Sequence, residues 1–344
     1  MPPNDTDPLL RLADALREAG YAFTTVTPET HRRVLARESQ RYAASLRDVF
    51  GWNLPFDHAL LPDAMLAALR AARMVAEVEA VGGQAPAPAM LRSKIRFATL
   101  GRAMFMHSAY PTVEPDAVFF GPDTYRFVSL IERVIASDAR AVRRVLDVGC
   151  GSGAGGLCAG QALASAGRTA PSIELVDINP KAIEFARFNA FANGWQQVDA
   201  RRADLYAGTR PGLDLIVANP PYLVDPGERL YRHGGGSFGF DLSLRIVAEG
   251  LPLLAAGGRL VLYTGVPIVG GRDPFFAAVA PELERENLSF DYREIDPDVF
   301  GEELDAPAYR NVERIAAVAL VVERRASQAV AAGPAPSASA KATP

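Results

Sequence analysis

The run DLIVANPPYL (residues 214–223) breaks off a stretch of strand-forming apolar residues at Asn219, Pro220, Pro221 and Tyr222. Proline has no N–H to give a sheet ladder, so the strand must stop by Pro220. The residue before a proline is held extended, which applies to Asn219 and again to Pro220. A polar amide, stiff carbonyls and an aromatic face are therefore presented together at a strand's carboxyl end, the edge of an open α/β sheet where ligands bind. A lone Asn-Pro would be no more than a strand terminator. The other chemistry-bearing segments decide the matter.

VLDVGCGSGAGG (145–156) is a strand running into a glycine-rich turn and then a helix. Glycines let a backbone approach a ligand closely and take conformations that a Cβ forbids. Two registers fit. Gly151, Gly153 and Gly156 spell G-x-G-x-x-G, with Asp177 farther along as a dinucleotide site wants. The other register is Asp147-x-Gly149-x-Gly151-x-Gly153, with an acid inside the strand and an earlier turn. A nicotinamide fingerprint calls for neither Asp147 nor Gly149, and it leaves Asn-Pro-Pro-Tyr unexplained.

The second register resembles the nucleotide-binding region of class I S-adenosylmethionine-dependent methyltransferases, over roughly residues 118–324. The resemblance implies a Rossmann-like α/β fold, a seven-stranded sheet with helices on both faces, and S-adenosylmethionine as cofactor. It places the glycine turn (Gly149, Gly151, Gly153, after Asp147) under the methionine portion, Asp177 on the ribose hydroxyls and Asp204 in RRADLY on the adenine. A carboxylate suits the ribose because it accepts hydrogen bonds from both hydroxyls. The Asn219–Tyr222 tetrapeptide resembles the motif of enzymes that methylate nitrogen conjugated to a planar system: adenine or guanine amino groups and glutamine amides. Such a nitrogen is a poor nucleophile. The Asn219 oxygen and the Pro220 carbonyl can accept its N–H bonds, aiming the lone pair at the methyl group, and Tyr222 can stack on the planar group.

Two further segments are similar to those of release-factor glutamine methyltransferases. Pro122, Asp123 and Thr124 in VFFGPDTYRFV match a Pro-x-Glu-Thr-like stretch, with Asp for Glu, and make Pro122 and Thr124 candidate substrate contacts. RHGGGSFGFDLSLRIV matches a Gly-Gly…Gly-x-Asp stretch, so residues 222–241 read as a substrate-covering loop. The expected substrate is a protein glutamine side chain, in a translation factor or ribosomal protein, with an RNA or DNA amino group as the alternative. An NAD-dependent oxidoreductase and a non-catalytic binding module are the readings from other classes.

The elements needed to position these residues are legible in outline. Strands are expected at 144–149, 172–178, 198–205, 213–219, 258–265, 289–295 and 315–323, with helices between the earlier ones. Their near-continuous apolar character suits a sheet covered on both faces. No helix is needed between the last two strands, which suggests an antiparallel partner at the edge. Residues 1–110 read as a mainly helical recognition domain. Its first helix starts at Asp7-Pro8, the second runs from Thr27-Pro28 to near Gly51, and the third closes at Gly82-Gly83 before the GGQAPAPA connector. KIRFATLGRAMFMHSA suggests a hairpin around Gly101-Arg102. Residues 111–325 form the methyltransferase-like domain and 326–344 a low-complexity, disordered tail.

Composition sets the outer bounds. The 344 residues are 49% hydrophobic and 22% charged with a formal net charge of −4, ordinary for a globular chain and unlike a general nucleic-acid coat. Arg92, Lys94, Arg96 and Arg102, with Arg32, Arg33 and Arg37, could still offer a local basic face. Two cysteines and four scattered histidines fit no metal motif. No apolar run is long enough to span a membrane and the first residues lack a signal-peptide pattern, so a cytoplasmic monomer is expected.

Overall fold

The structure is a computed structural model that describes residues 7–37, 39, 41–78, 90–286 and 288–325. The chain opens with α1 (Pro8–Glu18), where the Asp7 carboxylate accepts the Leu9 N–H at 2.9 Å and proline takes the first helical position. It buries the stripe Leu9, Leu12, Ala13 and Leu16. The second expected helix is two: α2 (Pro28–Leu35) and α3 (Leu46–Phe50). Between them Ala43 donates its N–H to the Pro55 carbonyl, and Ser45 caps α3 afresh. The third also ends early. α4 (Asp63–Ala71) stops where Arg73 takes φ +58°, and β1 (Val75–Glu77) pairs antiparallel with β2 (Leu91–Ser93). A tertiary partner for the backbone has overridden helical periodicity there. The Gly82-Gly83 stop, the connector as far as residue 89 and the tail lie outside the described residues. The hairpin is present as β3 (Ile95–Leu100) and β4 (Ala103–Ser108). Helices dominate this region, and beside the expected hairpin it carries a second strand pair, β1 with β2, that the sequence reading does not include.

The remainder alternates α5 (Pro122–Ala136), β5 (Arg144–Val148), α6 (Ala154–Ser165), β6 (Ser172–Asp177), α7 (Pro180–Ala192), β7 (Val198–Arg202), β8 (Leu213–Ala218), α8 (Asp241–Gly250), β9 (Leu254–Ile268), α9 (Pro274–Arg285), β10 (Ser289–Asp296) and β11 (Arg314–Glu323). Seven of the strands form one sheet in the order β7-β6-β5-β8-β9-β11-β10. The five from β7 to β9 run parallel, and β11 is antiparallel to both its neighbours. The antiparallel strand is therefore one place in from the edge, and β10 is outermost. The side chains explain the order. RIAAVALVVE in β11 is buried almost throughout and needs cover on both sides, whereas β10 alternates half-buried and exposed residues, as an edge strand can. Helices α5 and α6 cover one face of the sheet, and α8 and α9 the other.

The N-terminal region shares a core with the sheet domain. Leu12 and Leu16 of α1, Leu69 of α4 and Phe97 and Met106 of the hairpin pack with Ala182, Phe185 and Phe188 of α7. The free edge of β4 is met by two amide side chains of α7. Asn189 accepts the Met106 N–H at 2.7 Å and donates to the Met106 carbonyl at 3.0 Å, while Asn193 does the same for Met104 at 3.1 and 2.9 Å. Each asparagine thus completes the ladder as a strand residue would.

Candidate active site

Strand order reverses between β5 and β8, whose neighbours β6 and β9 lie on opposite sides, and a cavity of about 480 Å³ opens at that switch point. The turn after β5 supplies its floor. Gly149 and Gly151 line the cavity at φ +68° and +53°, with nothing within 4 Å of the place a Cβ would occupy, so the bare backbone is approachable. Gly153, at φ +81°, lies behind them and starts α6. Asp147 is buried away from the cavity. Its carboxylate accepts the Gly156 N–H at 2.7 Å, and burial pushes its acid up to about 7. It braces the turn from below. Asp177, at the end of β6, does reach the cavity, and its two oxygens accept the Gly151 and Asn179 N–H groups at 2.9 and 2.8 Å. Burial raises its acid and these donors lower it. Each oxygen keeps a lone pair for a ligand hydroxyl. Asp204 lines the same cavity from the segment after β7, largely exposed, 3.7 Å from Arg245.

Asn219, Pro220, Pro221 and Tyr222 line the facing wall. Neither the Asn219 side chain nor the Pro220 carbonyl is taken up by a hydrogen bond among the described residues, so both acceptors are uncommitted in residues that line the cavity. Tyr222 is engaged. Its hydroxyl donates to Asp123 at 2.6 Å, and its ring lies against Gly265, where a Cβ would fall 2.3 Å from ring carbons. Burial, then the Asp123 charge, pushes its phenol well above the ordinary range. Asp123 and Thr124, in the first turn of α5, line the cavity, while Pro122 starts the helix and is not on the wall. The Thr124 hydroxyl also accepts the Gly121 N–H at 3.4 Å.

The segment after Tyr222 is an ordered cover built around Asp225. That carboxylate, 3% exposed, accepts from the Arg229 backbone and guanidinium and pairs with Arg232, and Arg229 holds its acid down to about 2. Arg232 also reaches Glu303. Tyr231 stacks on Phe119 (centroids 5.8 Å apart, planes 19° apart) and donates to the Thr112 carbonyl at 2.6 Å. Gly239, at φ +85°, sits where a Cβ would fall 2.3 Å from the Tyr222 carbonyl oxygen, which only glycine tolerates.

Residues 129–264 match the family model described as the methyltransferase small domain. The match over this stretch indicates an S-adenosylmethionine-dependent methyltransferase domain of class I. A tRNA1(Val) (adenine(37)-N6)-methyltransferase of Tolumonas auensis is 33% identical over 105 residues, 28% of this chain and 42% of that protein. A release factor glutamine methyltransferase of Cereibacter sphaeroides is 33% identical over 143 residues, 38% of this chain and 49% of that protein. The chain thus spans under half the length of these relatives. A solved T. thermophilus 16S rRNA N2 methyltransferase in complex with AdoMet and guanosine is 18% identical at a TM-score of 0.45, covering 79% of this chain and 64% of that one.

Of the residues expected at the site, the structure brings Gly149, Gly151, Asp177, Asp204, Asn219, Pro220, Pro221, Tyr222 and Thr124 to one cavity. Asp147, Gly153 and Pro122 support its walls from outside. Sequence reasoning missed Asp123, Phe119, Tyr231 and Arg245 as lining residues. An acid in a helix's first turn reads as a match to the helix dipole, and an aromatic in a glycine-rich loop carries no spacing signal. No helix among the described residues is long and apolar enough to cross a membrane.

Proposed function

We propose that this chain transfers a methyl group from S-adenosylmethionine to a planar amide or amino nitrogen, with a protein glutamine side chain as the favoured acceptor. The observation that carries the reading is the pair of uncommitted acceptors, Asn219 and the Pro220 carbonyl, opening into the same cavity as the bare glycine turn and Asp177. The residues fit the cofactor: Gly149 and Gly151 would admit its methionine portion and Asp177 its ribose hydroxyls. When bound, the cofactor supplies a methyl group activated on a sulfonium. The chain's own part is alignment. Asn219 and Pro220 would take the two N–H bonds of the acceptor nitrogen and loosen its conjugation as the transition state forms. The cover from Leu223 to Phe240 would keep water from the site. The nitrogen can shed its proton after transfer, so no dedicated base is required.

Glutamine is favoured because the segments that resemble glutamine methyltransferases, Asp123-Thr124 and Gly234–Asp241, pack around the Asn-Pro-Pro-Tyr wall. An RNA adenine or guanine amino group is the second reading, supported by the similarity to tRNA and rRNA methyltransferases. A base in a duplex would have to be flipped out to enter. Tritiated S-adenosylmethionine incubated with cell extract and the purified chain separates the two. Label in protease-sensitive material supports glutamine, and label in nuclease-sensitive material supports the base. Label in neither, with the protein folded and S-adenosylhomocysteine bound, rejects the proposal.

A further inference from the structure

We infer that Asp123 is a positioning residue for the acceptor site, holding the Tyr222 ring in one seat beside Asn219; this rests on the methyl-transfer reading above. The carboxylate is 7% exposed and takes two buried phenols, Tyr222 on Oδ2 at 2.6 Å and Tyr263 on Oδ1 at 2.7 Å. Its charge is balanced from one turn along α5, where Arg126 reaches Oδ1 at 3.2 Å and continues to Asp296 of β10 at 2.7 Å. The acid is thereby fixed to the helix, to β9 through Tyr263 and to the outermost strand.

The seat itself is narrow. Gly265 of β9 leaves the space the ring fills, and Phe300 meets the ring edge-on at a centroid distance of 6.0 Å. A phenol donates close to its ring plane, so the bond to Asp123 sets the tilt of the ring as well as its depth. It also spends the only donor Tyr222 has. An incoming nitrogen then meets no phenol donor on this wall, and the Asn219 oxygen and the Pro220 carbonyl are the acceptors that suit a group bringing two N–H bonds. Tyr263 is fully buried and is not on the cavity wall, so it offers a handle on Asp123 that cannot touch substrate.

The test pairs a spectroscopic readout with kinetics on the full chain, using the methyl acceptor found with tritiated cofactor. 3-Fluorotyrosine placed at position 222 reports the ring by fluorine NMR. Asp123→Ala should move and sharpen that resonance and lower kcat by about 10- to 100-fold, the scale of a small loss of alignment. Dissociation of S-adenosylhomocysteine should stay within about 2-fold of wild type, because Asp177 and the glycine turn are untouched. Asp123→Asn keeps one acceptor oxygen, enough to hold Tyr222 but not Tyr263 as well, and should restore part of the rate. Tyr263→Phe, a gentler change to the fold, should shift the resonance and lower kcat by a smaller factor. An unmoved resonance in Asp123→Ala overturns the hold on the ring. A moved resonance with unchanged kcat overturns the positioning role. A wild type that transfers no methyl group to any acceptor overturns the methyl-transfer reading and the role in catalysis with it, whereas the resonance shift alone would then mark Asp123 as structural.

Discussion

At the scale of single residues, the site divides its carboxylates and amides by burial. Asn219 lines the cavity with its side chain uncommitted, and on the proposed reading its contribution belongs to the chemical step. Asn219→Ala should lower turnover by about 100-fold or more while S-adenosylhomocysteine binds as before, measured by steady-state kinetics beside calorimetry. Unchanged turnover per folded molecule would reduce Asn-Pro-Pro-Tyr to a strand ending. Asp147 makes the opposite case. Its folded acid, raised to about 7, is protonated more readily than in the unfolded chain. Its contribution to stability is therefore complete below the unfolded value near 4 and is lost as pH rises toward 7. Compared with Asp147→Asn, the wild type should lose up to a few kcal/mol across that window, read from urea titrations at pH 4 to 8. Parallel curves for the two proteins would show that Asp147 does not titrate as its burial demands. Tyr222 carries a hydrogen bond besides any stacking. A free stacking ring would tolerate Tyr222→Phe, but here the change strips a donor from a buried carboxylate and should cost activity.

At the scale of elements, the seven strands of the sheet were legible because their apolar runs are bounded by glycine, proline and charge, and each lies within a few residues of its expected place. The glycine turn, Asp177 and Asn219 could be placed for the same reason, since each sits at the carboxyl end of a strand whose position was already set. The parts that escaped depend on partners distant in sequence. Val75–Glu77 continues a helical pattern and became a strand because β2 offers its backbone, and Asp123 found its role through Tyr222 and Tyr263, 99 and 140 residues away. The cover over the cavity was read as a loop, but its internal ion pairs were not. Asp225 gathers Arg229 and Arg232 there, and removing this buried carboxylate leaves two half-buried guanidinium groups without their shared partner. Asp225→Ala should therefore loosen residues 223–234 alone. Hydrogen exchange in that segment should quicken by about 10-fold or more, with the sheet unchanged. Substrate KM should rise more than kcat falls.

At the scale of the whole molecule, the N-terminal region and the sheet domain are joined by a shared core and by two asparagines. Asn189 is fully buried and donates also to the Ser152 carbonyl in the glycine turn at 2.9 Å, so one amide touches both the hairpin and the floor of the cavity. Asn189→Ala would orphan the Met106 N–H and carbonyl together with the Ser152 carbonyl. It should cost about 2–4 kcal/mol, seen as a lower Tm. Residues 111–325 expressed alone should be poorly soluble, because Phe185 and Phe188 would lose the apolar surface that covers them. A well-behaved fragment with wild-type Tm would show that the shared core is dispensable.

That shared core also sets an order of events during synthesis. Leu12, Leu16, Leu69 and Phe97 leave the ribosome well before Phe185 and Phe188, yet all of them close on one another. The N-terminal helices and the hairpin are therefore expected to stay partly open until α7 has emerged and Asn189 and Asn193 can meet the hairpin's edge. Ribosome-bound chains arrested with about 150 residues exposed should be cut readily within the N-terminal helices, and chains arrested after α7 should resist. Early protection at the shorter length would mean that the region closes on itself first and that α7 only docks on a finished surface.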